Sequence, residues 1–244
     1  MTGTVFPGTT GRGVRIAVID SGVHPRHPHI DAARLLNGVA VSREGVIDGG
    51  SLATLDRLGH GTAVSAAIQE RVSGAQLLPV RVFHDALRAS ATALVAAIGW
   101  CVDAGADIVN LSLGSQNPAH RDAFVRAAED AAAAGVVLVA ARSVDGISCW
   151  PGALPGVIGV ELDWDCPRGR YRVADIDGTP AFFASGYPRP IEGVPPTRNL
   201  YGVSFAVAQM SGFAALALEQ GRTGQAGTSD LAALLAATAP PATP

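Results

Sequence analysis

A chain of 244 residues, 48% hydrophobic and 16% charged, is long enough to bury a full core and too apolar to be a disordered segment. Its formal charge of -3, with no lysine- or arginine-rich run, supplies no electrostatic reason to bind nucleic acid or an anionic membrane, and no apolar run reaches the length that spans a bilayer. Nucleic acid and membrane are therefore set aside as partners, and one domain over residues 1–244 is expected.

The first residues, MTGTVFPGTTGRGVRIAVID, lack the charged region, long apolar run and small-residue cleavage site of a secretory signal. Cys101, Cys149 and Cys166 are odd in number and lack metal-ligand spacing, which suits reduced thiols in a cytoplasm better than a disulfide framework. The count leaves a Cys149 to Cys166 bridge open. Short β-branched runs then alternate with alanine-rich helical stretches: RIAVID and GHGTAVSAAIQE, QLLPVRVF and ATALVAAIGWCVDAG, DIVNLSL and HRDAFVRAAEDAAAAG, then VVLVAA. This alternation predicts an α/β fold, a mostly parallel central sheet with helices on both faces. Gly105 and Gly135 stand where two of those helices should end. Residues 163–199, rich in proline, glycine and charge, read as surface loops with one short strand at AFFAS. The last long helix follows in YGVSFAVAQMSGFAALAL, and no linker or repeat divides the chain.

In open parallel sheets ligands gather at the carboxyl ends of strands, so residues just after a strand are the ones to weigh. Asp20 closes the run IAVI ahead of Ser21-Gly22; taken alone it is an aspartate starting a turn. His60 lies where a glycine-flanked loop enters a helix, and alone it is a loop or capping histidine. Ser204 stands where a polar segment becomes apolar, fitting either a helix cap or a nucleophile placed in the field of a helix N-terminus. Three other groups read as structural. His24, His27 and His29 in HPRHPH resemble a metal cluster, but the prolines forbid a helical i, i+4 face, so no metal is expected. Asp103 and Asp107 flank Gly105 as solvated carboxylates of a turn, and Asp163, Asp165, Asp175 and Asp177 read as a solvated loop rather than calcium ligands.

Asp20, His60 and Ser204, each at the end of an element, occur in the Asp-His-Ser order of subtilisin. From Val14 to Glu219 the chain resembles the subtilisin-like serine peptidase family, through IAVIDSGVHPRHPHI, GHGTAVSAAI, GVSFAVAQMSG, DIVNLSLGS and WPGALPGVIGV, five motifs in order. The resemblance implies a subtilisin-like fold and acyl transfer from a peptide or protein substrate without a cofactor. Ser204 would attack the carbonyl, His60 would carry the proton, and Asp20 would orient the imidazole. Substrate would pair as an added strand with Ser112, Leu113 and Gly114. The pocket before the cleaved bond would be walled by Leu113-Gly114 and Ala141-Arg142-Ser143, with Cys149 on its floor in place of a glycine.

The departures from the family pattern sharpen this expectation. Val144 stands at the position of the asparagine whose amide donates to the oxyanion, and Val203 replaces a threonine before the nucleophile. The backbone N–H of Ser204 remains, with the Ser143 hydroxyl a further donor if the turn is shifted by a residue. In subtilisin itself, losing that asparagine slows turnover by roughly 10²–10³. Ala63 and Ala208-Gln209 replace family residues that look structural. No propeptide-sized segment precedes Val14, so the chain folds without one or with one supplied separately or removed, and QERVSGAQLLPV is too short for the calcium loop of secreted relatives. The expectation is a cytoplasmic serine endopeptidase of restricted specificity. Its rivals are a degenerate peptide-binding protein and a peptide ligase.

Overall fold

The computed structural model describes residues 5–223 and 231–239. In chain order the elements are β1 (Arg15–Asp20), β2 (Val39–Val41), β3 (Ile47–Asp48), α1 (His60–Arg71), β4 (Gln76–Arg81), α2 (Ala91–Asp103), β5 (Ile108–Leu111) and α3 (Arg121–Ala133). There follow β6 (Val137–Ala141), β7 (Ser143–Val144), β8 (Ile147–Ser148), β9 (Ile158–Leu162), β10 (Tyr171–Ile176), β11 (Thr179–Ala184), α4 (Val203–Thr223) and α5 (Leu231–Thr238). Nine strands form one sheet in the order β10-β11-β9-β6-β5-β1-β4-β2-β3. Its pairings are parallel except at the two edges, β2 with β3 and β10 with β11. Among the described residues no helix is long and apolar enough to cross a membrane.

Both sheet faces are buried, which is why the central strands are continuous apolar runs rather than alternating ones. Ile16 and Val18 point into one core layer with α1, α4 and α5, while Ala17 and Ile19 point into the other with α2 and α3. The helices end where the glycines announce it: Gly105 and Gly135 follow the C-caps Ala104 and Ala134. A buried polar chain ties α4 to β5 and to the residue that follows it. Ser211 Oγ donates to Asn110 Oδ1 at 3.0 Å, and Asn110 Nδ2 donates to Ser112 Oγ at 3.0 Å.

Residues 163–199 depart from the loop reading. β10 and β11 form a six-residue antiparallel hairpin that extends the sheet edge, and Asp177-Gly178, both at positive φ (54° and 76°), make its tight turn. Tyr171 is wholly buried, and its hydroxyl donates to Leu235 O at 2.7 Å, clasping α5. The acidic residues read as solvated are partly committed to structure. Asp107 accepts the Arg15 N–H at 2.7 Å and pairs with Arg222, and Asp163 accepts the N–H groups of Asp165 and Cys166 and the Arg172 guanidinium at 2.8 Å. All three cysteines are buried and free.

Candidate active site

Asp20 is the last residue of β1, at the carboxyl end of a central strand, and is fully buried. His60 opens α1, and its Nδ1 lies 2.7 Å from Asp20 Oδ1, which also accepts the Ser21 N–H at 2.7 Å. The approach depends on Gly61: a β-carbon there would sit 2.2 Å from Gly22 O and 3.1 Å from Asp20 Oδ1, so a side chain would push the helix off the strand. Asp20 Oδ2 is buried without a hydrogen-bond partner among the described residues, the kind of exception that concentrates at working sites.

One organising residue was not read from the sequence. Asp56, four residues before His60, is 7% exposed and takes five donors. Its Oδ1 accepts Ser21 Oγ–H and the N–H groups of Leu58 and Gly59, each at 2.9 Å; its Oδ2 accepts the Thr62 N–H at 2.9 Å and the Thr62 hydroxyl at 2.5 Å. Gly59, the N-cap of α1, has no side chain with which to cap it, so Asp56 caps the helix from three residues upstream. Burial alone would raise the Asp56 pKa, and the Thr62, Gly59 and Leu58 donors together hold it below the ordinary carboxylate value. Burial also works to depress His60; the Asp20 hydrogen bond and the charges of Asp20 and Asp56 overcome it and raise His60 above the usual histidine value.

Ser204 does not cap its helix. α4 begins at Val203, and the Ser204 hydroxyl donates to Ser112 O at 3.3 Å instead of accepting a helix N–H. Its neighbour Phe205 packs on the His60 ring, centroids 5.8 Å apart, so the serine and the imidazole share one corner of the cleft. No hydrogen bond joins Ser204 Oγ to His60 among the described residues; such contacts commonly lengthen in unliganded sites.

Ser112, Leu113 and Gly114 follow β5 directly. A cavity of about 590 Å³ is lined by Leu113, Gly114, Val144 and Cys149 together with Arg43 and Arg88. Gly114 is required here because a β-carbon would meet Trp150 O at 2.3 Å, where Ser115 and Trp150 form an antiparallel bridge. Cys149 is 1% exposed, its N–H donates to Arg142 O at 2.8 Å, and burial pushes its thiol pKa up. Ala141 ends β6 in the core. Arg142 and Ser143 turn their side chains to Glu161: the Ser143 hydroxyl donates to it at 2.7 Å and Arg142 pairs with it at 3.8 Å. Ser143 is therefore not a free donor.

The chain beyond Ser143 makes a second Asp-Gly hairpin, with Asp145 and Gly146 at φ 53° and 75° between β7 and β8. Val144 pairs across it with Ile147, and both Val144 and Val203 pack as apolar groups against the core. A further residue missed in the sequence is Gln116, which also lines this cavity and whose Nε2 donates to Val144 O at 3.0 Å. His24, His27 and His29 lie together at a second cavity beside α1.

Thermitase of Thermoactinomyces vulgaris is 27% identical over 231 residues, spanning 87% of this chain and 77% of thermitase. Subtilisin DY of Bacillus licheniformis and a subtilisin-like protease of Coccidioides posadasii are each 28% identical across 58% of this chain. The chain spans only 51% and 35% of the length of those two relatives. Among solved structures, a lanthipeptide protease superposes with a TM-score of 0.66 at 21% identity, covering 88% of this chain and 76% of the other. The prenylagaramide maturation protease PagA does so at 0.62 and 25%, covering 89% and 79%. The Asp20 and His60 elements and the segment Ser112–Gly114 after β5 fall within residues 11–145, more than half of the chain, which match the model of the subtilase family, and on that match the chain belongs to the subtilase family.

Proposed function

We propose that the chain is a serine endopeptidase of restricted specificity that hydrolyses peptide bonds through Asp20, His60 and Ser204. The observation that carries this reading is the 2.7 Å contact of His60 with Asp20 at a strand's carboxyl end, with Phe205 holding Ser204 at the same imidazole. Nδ1 donates to Asp20, so the neutral ring presents Nε2 as the base. Nε2 takes the Ser204 proton as Oγ attacks the carbonyl carbon; the imidazolium, stabilised by Asp20, returns that proton to the departing amine. Water then repeats the sequence on the acyl-enzyme.

The oxyanion would face the backbone N–H of Ser204, one of the unpaired donors in the first turn of α4, together with that helix's positive end. With valines at 144 and 203, slow turnover is the expectation. Substrate would add as a strand to Ser112–Gly114, and the Cys149 floor with Gln116 in the same cavity lining favours a small residue before the cleaved bond. PagA is described as a maturation protease, and a comparable task on a peptide is proposed here, in the cytoplasm, where three free thiols fit.

A second reading, a peptide binder that barely turns over, draws on the Ser204 hydroxyl being bonded to Ser112 O and on the two valines. Labelling with a fluorophosphonate separates the two. Covalent mass gain at Ser204, absent in Ser204→Ala, is expected of the peptidase, and no labelling of the folded protein would overturn it. Products heavier by one water distinguish hydrolysis from ligation.

A further inference from the structure

On the α1 side of Ser204 a cavity of about 320 Å³ is lined by His24, His27, His29, Arg57, Arg189 and Asp56. Asp56 is the carboxylate of that lining, and its five donors leave it no free lone pair for an arginine. Glu70, whose charge also reaches His29, is bound to Arg168. Arg189 donates to His29 O at 3.2 Å, and exposed Arg57 makes no ion pair among the described residues. His27 Nδ1 accepts the His29 N–H at 3.2 Å, which leaves its proton on Nε2 as a further donor. The cavity thus offers the guanidinium N–H donors and charge of Arg57 and Arg189, with no carboxylate of its lining free to pair with them.

Its position gives that chemistry a use. Gly59, Thr62 and Ala63, which flank His60, form one wall, and Asn199 and Leu200, just ahead of Ser204, form another. If the acyl half of a substrate pairs with Ser112–Gly114, the half that departs with the amine must pass His60 on this opposite side. We propose that the cavity binds a carboxylate on the departing half of the substrate, either an acidic side chain or the terminal carboxylate, within a few residues of the cleaved bond. The inference rests on the peptidase reading. An acceptor with two oxygens matches the fork of a guanidinium, and a neutral amide of the same shape does not.

The test uses peptide libraries with a randomised acyl half and either Glu or Gln fixed at each successive position after the bond, each made as terminal acid and terminal amide. Expected is a preference of about tenfold in kcat/KM for a carboxylate, the lower end of what one hydrogen bond to a charged group supplies. The Glu arm or the acid arm identifies its source. Arg57→Gln, at an exposed side chain without an ion pair among the described residues, should cut the preference severalfold, and Arg57→Gln with Arg189→Gln should abolish it.

An acetyl peptide p-nitroanilide ending in alanine, whose departing group carries no carboxylate, is the control. Wild-type turnover of that anilide with equal rates for Glu and Gln peptides overturns the cavity assignment while the peptidase reading stands. If neither anilide turnover nor fluorophosphonate labelling occurs, the peptidase reading fails. Equilibrium binding of the Glu and Gln peptides then decides the cavity: carboxylate-selective binding lost in the double variant supports it, and equal binding refutes it.

Discussion

Replacing Asp56 by asparagine keeps the shape of the side chain and changes only what its atoms offer. If the new NH₂ takes the Oδ1 place it faces two N–H groups, those of Leu58 and Gly59, and leaves both orphaned. If it takes the Oδ2 place it faces the Thr62 N–H and a hydroxyl, and the hydroxyl can turn to accept. The second arrangement is cheaper and still strands one buried N–H, for about 1–3 kcal/mol, while the surviving bonds lose their charge assistance. A total near 3 kcal/mol lowers Tm by about 6–12 °C in a domain of this size.

Thermal and urea unfolding of Asp56→Asn against wild type measures it. Because the folded-state pKa of Asp56 is lowered, its contribution is present above the unfolded-state value and is lost as pH falls through the folded one, so the two proteins should converge in acid. A Tm within a degree of wild type at neutral pH, or a difference that grows in acid, would refute the argument that Asp56 caps α1.

The raised pKa of His60 predicts an acid limb of kcat/KM above the ordinary histidine value near 6.5, because the base is lost as pH falls through it. Asp56→Asn removes one of the charges raising it, so the pH–rate profile of that variant should shift to lower pH. Val144→Asn should raise kcat more than it lowers KM, since an added amide acts on the developing charge; unchanged kcat in a folded variant would mean that another group fills the role. Gln116→Ala and Cys149→Gly should each widen acceptance before the cleaved bond toward larger side chains, because overfilling a packed site costs about 1–3 kcal/mol. A wild-type preference for phenylalanine or tyrosine at that position in library profiling would sink the small-pocket argument.

Much of the site was legible because its parts sit at the ends of strongly patterned elements. Asp20 ends an unbroken apolar strand, His60 begins a helix after glycine, and Ser204 lies at the head of a long apolar helix, so each stands out locally. The β10–β11 hairpin was hidden by composition, although Asp177-Gly178 between VADI and TPAFF was its signal. The same dipeptide at 145–146 marked the hairpin beyond Val144. Asp56, Gln116 and the turning of Ser143 toward Glu161 carried no comparable signal. Their roles come from neighbours distant in sequence or from side-chain directions, and composition and period record neither.

The packing of α4 also sets a timetable. That helix lies against β5, β6, β9, β11, α1 and α5, and it brings Ser204, the proposed nucleophile, to His60 and Asp20, which are encoded far upstream. During synthesis, Asp20 and His60 emerge and can begin to organise β1, α1 and β4 long before Ser204 exists. Until α4 docks, the core layer that it shares with α1 and α5 is open and Ser204 is not beside His60. On the proposed mechanism a chain in which α4 has not docked would be chemically silent, and any capacity to cut other chains, its own unfolded copies included, would arise only once that core layer closes.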